Sequence, residues 1–365
     1  MTQNPYNLLA ERLDRLPNGF PGTPDGSELR LLSYIFTPDE AVIASRLRVF
    51  PETAEEIAAR FSQDYQESRD PDTVQNELKS MARKGLIRAE KTPRGLGFAA
   101  LPFVVGIFEM QISHMDEKMA RLFEDYYRQA FGQIMEIQPQ FHRIIPVDES
   151  VRMDMEIHPY ESASQIVNQA QAWGVLDCIC RKQKALIGEA CEHPVDICMA
   201  LHHRPGVFDN KPDIRALTRE EALNTLNRAA KAGLVHSVSN NQEGITYICN
   251  CCTCSCGILR GMAELGIANV VARSAFVNQV DEGMCTGCEL CADSCQFEAL
   301  TFSDGLAQID VLRCVGCGVC VPVCPDGALG LMRRKEEDIL PVPINIMDWG
   351  MQRAQSRHLD LRDIL

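Results

Sequence analysis

Long hydrophobic runs are absent from this sequence of 365 residues. The longest candidate, Ala99 to Phe108, is interrupted by Pro102 and falls short of the about 20 apolar residues that span a bilayer. The opening stretch, MTQNPYNLLAERLDRL, is polar and lacks the apolar core of a secretory signal peptide. The sequence therefore predicts a soluble protein in a reducing cytoplasm.

Positive charge and nucleotide-binding motifs are also scarce. The net charge is −14, with 36 Lys+Arg against 50 Asp+Glu. The chain as a whole should repel nucleic acid and anionic membranes, although a local basic patch could bind either. No Gly-x-Gly-x-x-Gly fingerprint and no Walker loop occurs, so an NAD, flavin or ATP site is unsupported.

Cysteine, by contrast, is abundant, with 17 residues. The close spacing of these cysteines favours metal or cluster ligation over disulfides. Two segments share the spacing C-x2-C-x2-C-x3-C: Cys285–Leu300 (CTGCELCADSCQFEAL) and Cys314–Leu329 (CVGCGVCVPVCPDGAL). Each has Gly before its second Cys, Gly287 and Gly316, which lets the backbone turn tightly and approach the cluster sulfurs.

The spacing within each repeat predicts how its thiolates divide between two iron–sulfur cubanes. Two-residue gaps let three cysteines wrap one cubane, whereas the fourth lies too far along the chain and ligates the other cluster. The prediction is cluster I on Cys285, Cys288, Cys291 and Cys324, and cluster II on Cys314, Cys317, Cys320 and Cys295. Two zinc sites are the alternative, but zinc favours Cys-x-x-Cys pairs separated by longer loops.

Over about 55 residues this segment resembles the bacterial two-cluster ferredoxins. The resemblance implies two [4Fe–4S] clusters in a small α+β fold of two short hairpins and two helices. Pro325 after Cys324 matches the pattern of the family. Gln296 after Cys295 departs from it, because proline is common there, but the change removes no ligand.

Nine further cysteines form a second field in the middle of the chain. They are Cys178, Cys180, Cys191, Cys198, Cys249, Cys251, Cys252, Cys254 and Cys256. Cys-x-Cys spacing places both sulfurs on the same side of an extended backbone, which suits one metal centre. One or two additional Fe–S clusters are the favoured interpretation, with zinc or a redox dithiol as alternatives. The nearby His193, His202 and His203 could replace a thiolate.

The middle field resembles a group of anaerobe iron–sulfur proteins. These proteins carry a Cys-x-Cys-Arg segment and a Cys-Asn-Cys-Cys segment ahead of a two-cluster ferredoxin domain. Residues 178–181 and 249–252 match the two segments. The resemblance implies electron transfer and attaches no substrate.

The remaining patterns complete a prediction of a multidomain α+β protein. Three helical patterns and a hairpin signal within residues 28–104 indicate a winged-helix-like domain. An irregular arm (1–27) precedes it, and an amphipathic helical linker (105–145, helical from Gly106 to about Phe131) follows. A mainly helical Cys-rich metal or cluster domain (146–270), a ferredoxin-like dicluster domain (271–335) and a tail (336–365) complete the chain.

Function follows mainly from the clusters. The sequence predicts an electron carrier or oxidoreductase subunit that relays single electrons between a low-potential donor and an acceptor oxidoreductase. A redox-responsive winged-helix regulator is the alternative, in which Thr73 to Lys84 would read DNA, aided by Lys91 and Arg94. Residues 1–100 carry more acids than bases, which favours protein docking over DNA. Catalysis at an open iron position is a third class, and a homodimer or a larger complex fits each of them.

Overall fold

The computed structural model describes residues 4–65, 67–152, 154–360 and 362. Two units make up the chain, Met1–Gln138 with Gly350–Leu365, and Pro139–Trp349. The chain is 38% helical and 17% strand, which confirms the α+β class. None of the helices in these described ranges combines the length and apolar character that crossing a lipid bilayer requires.

Helices and one small sheet form the first unit. Its helices are α1 (Pro5–Arg15), α2 (Ser27–Ile35), α3 (Pro38–Ser45), α4 (Ala54–Tyr65), α5 (Pro71–Arg83), α6 (Glu117–Tyr126) and α7 (Gly132–Met135). Its strands are β1 (Glu52–Thr53), β2 (Arg88–Thr92) and β3 (Gly95–Ala99). They pair antiparallel in the order β1-β3-β2, so the predicted hairpin is present as β2–β3.

Two predictions for this unit are wrong in detail. The expected irregular arm contains α1, because Pro5 suits the first helical turn and the Asn4 side chain accepts a hydrogen bond from the Tyr6 amide. The expected helix from Gly106 begins only at Glu117. Asp116 ends the irregular segment before it by accepting a hydrogen bond from the Met119 amide at 2.8 Å.

An antiparallel six-stranded sheet forms the core of the second unit, in the order β4-β8-β9-β6-β5-β7. Its strands are β4 (His142–Ile144), β5 (Ala172–Asp177), β6 (Asp196–His202), β7 (Arg215–Leu217), β8 (Val235–Ser239) and β9 (Tyr247–Cys251). The helices of this region are α8 (Ala163–Gln169), α9 (Ile179–Leu186), α10 (Arg219–Lys231) and α11 (Arg260–Ala263).

The sheet corrects the prediction of a mainly helical Cys-rich domain. Val167 of α8 and Leu226 of α10 pack with Val175, Met199 and Ile248 from three strands, so the core lies between sheet and helices. Its strands are short apolar runs, which periodicity alone does not distinguish from buried helix. Strand β4 comes from the segment predicted as linker.

The ferredoxin-like part of this unit consists of two antiparallel strand pairs. Strand β10 (Phe276–Val280) pairs with β13 (Leu329–Arg333), and β11 (Leu300–Ser303) pairs with β12 (Leu306–Ile309). One short helix, α12 (Leu290–Asp293), follows the first cysteine loop. The second expected helix is replaced by turns over residues 319–323. A final helix, α13 (Ile346–Ser356), ends the described fold.

Candidate metal centres

The two cysteine repeats adopt matching local structures. In the first, the Ala299 amide donates to Cys295 Sγ at 3.3 Å. In the second, the Ala328 amide donates to Cys324 Sγ, also at 3.3 Å. The same backbone hydrogen bond to the fourth cysteine of each repeat indicates that the two repeats share their local backbone structure.

The shared glycine of each repeat is required by conformation and by space. Gly287 and Gly316 have φ of +67° and +71°, where a side chain is strained. A Cβ on Gly316 would lie 2.0 Å from Phe276 O, and one on Gly287 would lie 2.2 Å from Gly305 O. The prediction that glycine allows a tight turn is confirmed, and the close approach is to neighbouring backbone: β10 for Gly316, and the turn between β11 and β12 for Gly287.

We expect Gly316→Ala to damage the second repeat. The left-handed backbone costs about 1–2 kcal/mol for a side chain, and the overlap with Phe276 O must displace backbone. The variant should unfold at lower temperature and lose iron faster than the wild type. Gly330→Ala is the matched control, since a Cβ there meets nothing within 4 Å; equal damage in both variants would contradict this account.

The pKa shifts of Cys291 and Cys320, which other sulfurs raise by charge repulsion, sort the eight repeat cysteines into two groups of four. Burial, then Cys324, Cys288 and Cys285, raise the pKa of Cys291. The pKa of Cys320 is raised by burial, then mainly by Cys317, Cys295 and Cys314. The last cysteine of each repeat thus lies near the first three of the other repeat.

The two groups differ in exposure. Cys288 is exposed in the first group, whereas burial raises the pKa of Cys317 in the second to about 12. The buried Asn278 side chain donates to Cys320 Sγ at 3.1 Å, a hydrogen bond that raises the potential of a cluster held there. The first group is therefore the more exposed of the two.

Six cysteines of the middle field form a closed ring of sulfur contacts. The contacts run Cys178–Cys180–Cys256–Cys251–Cys249–Cys198 and back to Cys178. The neighbouring strands β6 and β9 supply Cys198, Cys249 and Cys251, the start of α9 supplies Cys178 and Cys180, and Cys256 follows β9. Cys249 and Cys251, two residues apart on β9, are neighbours in the ring, as Cys-x-Cys spacing predicts.

The electrostatics of the ring favour a cationic occupant. Hydrogen bonds from Cys180 and then Cys198 hold the pKa of Cys178 well below its usual value. Those from Cys249 and Cys256 lower the pKa of Cys251 to about 6. The two sulfurs with lowered pKa, Cys178 and Cys251, lie opposite each other in the ring, and bound iron would stabilise both as thiolates.

The guanidinium of Arg181, which is 3% exposed, lies beside the ring. It donates to Asn250 O at 2.8 Å and to Cys252 Sγ at 3.4 Å. Burial alone lowers the pKa of Arg181, but the negative sulfurs of Cys178 and Cys252 outweigh it and raise the pKa. Arg181 is thus a buried cation that stabilises thiolates on two sides.

The remaining three middle cysteines form a second, smaller group with a histidine. The ligand atoms of Cys191, His193, Cys252 and Cys254 all lie within 4.8 Å of one another. His202 and His203 instead stack on each other, with ring centroids 4.4 Å apart, and are outside this group. The nine cysteines predicted as one field therefore divide into two groups, and His193 joins the smaller one.

Gln296, the departure from the ferredoxin pattern, connects the repeats to the middle field. Its Oε1 accepts from the Thr253 amide at 2.8 Å, and its Nε2 donates to Gly233 O. Thr253 lies between Cys252 and Cys254, and Gln296 follows Cys295 directly. Proline could make neither bond, so the substitution serves a contact that the sequence pattern did not reveal.

Comparison with known proteins agrees with the repeats. Residues 284–328 match the family model of the 4Fe-4S dicluster domain. No match to the chain was found among the curated proteins or the solved structures. The C-terminal part of the second unit is thus an iron–sulfur dicluster domain, and the chain also carries a compact Cys and His group suited to metal.

Proposed function

We propose that the chain is an iron–sulfur electron-transfer protein or oxidoreductase subunit. The observation that carries the proposal is the pair of matching cysteine loops in a dicluster domain. Cluster I is held by Cys285, Cys288, Cys291 and Cys324, and cluster II by Cys314, Cys317, Cys320 and Cys295. The grouping of the repulsions on Cys291 and Cys320 supports this crossed assignment.

The six-sulfur ring holds a third, polynuclear iron–sulfur centre in this proposal. Among the described residues, the ring does not supply a set of ligand atoms compact enough for one ion. A cubane uses four thiolates, and its irons bind ligands spread over a wider space than one ion does. Buried thiols, two lowered pKa values and the cationic Arg181 all support an iron–sulfur centre held by thiolates, whose net negative charge Arg181 offsets.

Electrons would pass from cluster I through cluster II to the ring. Cys291 of cluster I is among the charges that raise the pKa of Cys320 in cluster II, so the two clusters are neighbours. From cluster II, Cys295 is bonded to Gln296, which binds the Thr253 amide next to the middle centres. This order places the exposed cluster at the entry and the ring at the inner end.

The surface near cluster I suits a basic redox partner. Between Arg273 and Arg313 the chain carries seven Asp or Glu and no Lys or Arg. Exposed Met284 and Leu290 lie in the sequence beside the exposed Cys288. Apolar side chains with a charged surround are typical of transient protein interfaces. Both partners, the low-potential donor and the acceptor oxidoreductase, remain part of the proposal.

Glu282→Lys is expected to slow electron transfer to a cationic c-type cytochrome used as a surrogate partner. Removing one attractive charge should lower the association rate by about threefold or more at low salt. Stopped-flow mixing with the pre-reduced chain measures it, and the difference should vanish at high ionic strength. Glu243→Lys, another exposed acid outside the acidic segment, is the control; an equal effect there would argue against this docking face.

The N-terminal helices and sheet support a winged-helix-like domain that docks protein. The order α4, α5, β2, β3 with β1 on the sheet edge is the arrangement expected of a helix pair followed by a wing. Two cations proposed for DNA are already paired: Lys84 Nζ lies 2.6 Å from Glu40, and Arg94 bonds Glu56. Those acids oppose phosphate binding.

DNA binding is therefore the second candidate, favoured only by the helix-and-wing order. A gel shift at low salt, with oxidised and reduced protein, separates the two roles. We expect no retardation of promoter DNA in either state. Retardation that depends on cluster oxidation state would instead support the redox-responsive regulator.

A further inference from the structure

The four-residue group of the middle field has the dimensions of a mononuclear site. Zinc binds sulfur at about 2.3 Å and nitrogen at about 2.0 Å, so tetrahedral ligand atoms lie about 3.5–4 Å apart. The four ligand atoms here lie within 4.8 Å of one another, and Cys254 Sγ is 3.6 Å from His193 Nδ1. A small contraction around one ion completes a tetrahedron, whereas a cubane would force these atoms apart.

These four residues lie in a group separate from the six-sulfur ring. Successive side chains of a strand point to opposite faces, so Cys251 joins the ring while Cys252, directly after β9, turns away from it. Cys252 is 1% exposed and packs with Cys191, Ile197 and Leu234. The adjacent Cys251 and Cys252 therefore serve two different centres.

We propose that Cys191, His193, Cys252 and Cys254 bind one zinc ion, and that this ion is structural. Three thiolates and a neutral imidazole give the bound ion a net charge of −1, which the Arg181 guanidinium offsets through its 3.4 Å contact with Cys252 Sγ. A hydrogen bond from Ser255 Oγ to Cys191 Sγ, also at 3.4 Å, supports a second ligand.

The zinc ion would fix the loop that contacts the dicluster domain. Cys191 and His193 belong to the loop between α9 and β6, and Cys252 and Cys254 belong to the turn after β9. That turn includes Thr253, whose amide binds Gln296. The ion therefore closes two loops on each other and holds the turn on which Gln296 docks. The site lies on the turn through which the proposed iron–sulfur path reaches the ring, and it adds zinc to the metals of the chain.

The test is the metal content of the full chain, purified anaerobically from cells supplied with iron, zinc and sulfide. Mass spectrometry of the metals should give about one zinc per chain in addition to the cluster iron. X-ray absorption at the zinc edge, which iron does not disturb, should show three sulfurs and one nitrogen. His193→Ala should lower the zinc content at least about fivefold with iron unchanged, and exposed His203→Ala should change neither metal.

A conservative variant guards against loss through misfolding. His193→Cys offers a fourth thiolate, so it should retain zinc and replace the nitrogen at the zinc edge by sulfur. Chains that contain cluster iron but less than about a tenth of a zinc ion would overturn the proposal. Zinc retained fully by His193→Ala, with an unchanged ligand shell, would overturn it as well. Neither result would affect the dicluster assignment, which rests on iron and sulfide.

Discussion

Replacing Cys324 by alanine is expected to remove cluster I, although Cys324 lies in the second repeat. The reason is the crossed placement of the fourth cysteines, since Cys324 is the first charge to act on the pKa of Cys291 after burial. The content should fall by about four irons per chain, one cubane. Iron and sulfide quantitation of anaerobic protein measures the loss.

Double variants show which cysteines share a cluster. In the crossed arrangement, Cys324→Ala combined with Cys288→Ala removes two ligands of the same cluster, so about four irons should be lost. Cys324→Ala combined with Cys317→Ala removes one ligand from each cluster, so about eight irons should be lost. The reverse pattern would show that each repeat binds its own cubane and would contradict the crossed assignment.

Replacing Cys251 by alanine is expected to remove the third centre. Cys251 accepts hydrogen bonds from Cys249 and Cys256, and its lowered pKa makes it a ready ligand in the ring. A cubane at the ring brings the whole chain to about twelve irons, and the variant should retain about eight. Its spectrum should keep the signals of the two dicluster-domain clusters.

Cys254→Ala is the matched control for the ring. Cys254 is three residues away in the sequence but belongs to the compact group with His193. Its loss should leave about twelve irons in place and lower zinc instead. Iron that falls equally in the two variants would mean that the nine cysteines act as one iron site. Unchanged iron in Cys251→Ala would remove the third cluster from the account.

Local sequence patterns predicted α10, part of β9 and the cysteine loops, because each of these depends on residues close together in the sequence. The segment TREEALNTLNRAAKAGLV forms α10, which opens with Thr218 and Glu221 in a capping box, and the turn after it contains the predicted Gly233. The strand-like GITYIC overlaps the first three residues of β9, which continues to Cys251. The cysteine spacing predicted the dicluster domain because its loops are short and their geometry is set by neighbouring residues.

The division of the middle field could not be predicted, because it depends on long-range strand pairing. Cys198 and Cys249 become neighbours only when β6 pairs with β9, across about fifty residues of sequence. His193 was a candidate for ligation alongside two other histidines, and no sequence signal singled it out. The alternation of Cys251 and Cys252 about the end of β9 is the local signal that the cysteines divide into two groups.

Asn278 and Gln296 show a second limit. Neither residue is a cysteine ligand, yet one donates to Cys320 Sγ and the other joins Cys295 to the Thr253 turn. Their roles depend on what lies opposite in the fold. For Gln296 the sequence shows only that the usual proline is missing. That departure singles out the position but does not indicate what the side chain contacts.

The most direct test of the central claim is electron paramagnetic resonance of the fully reduced, anaerobically purified chain, with iron counted in the same sample. Two cubanes that exchange their fourth ligands lie close together, so we predict a spectrum broadened by magnetic interaction between two one-electron centres. Iron and acid-labile sulfide should accompany it in equal amounts. A colourless protein without sulfide, with zinc in the two repeats, would contradict the account.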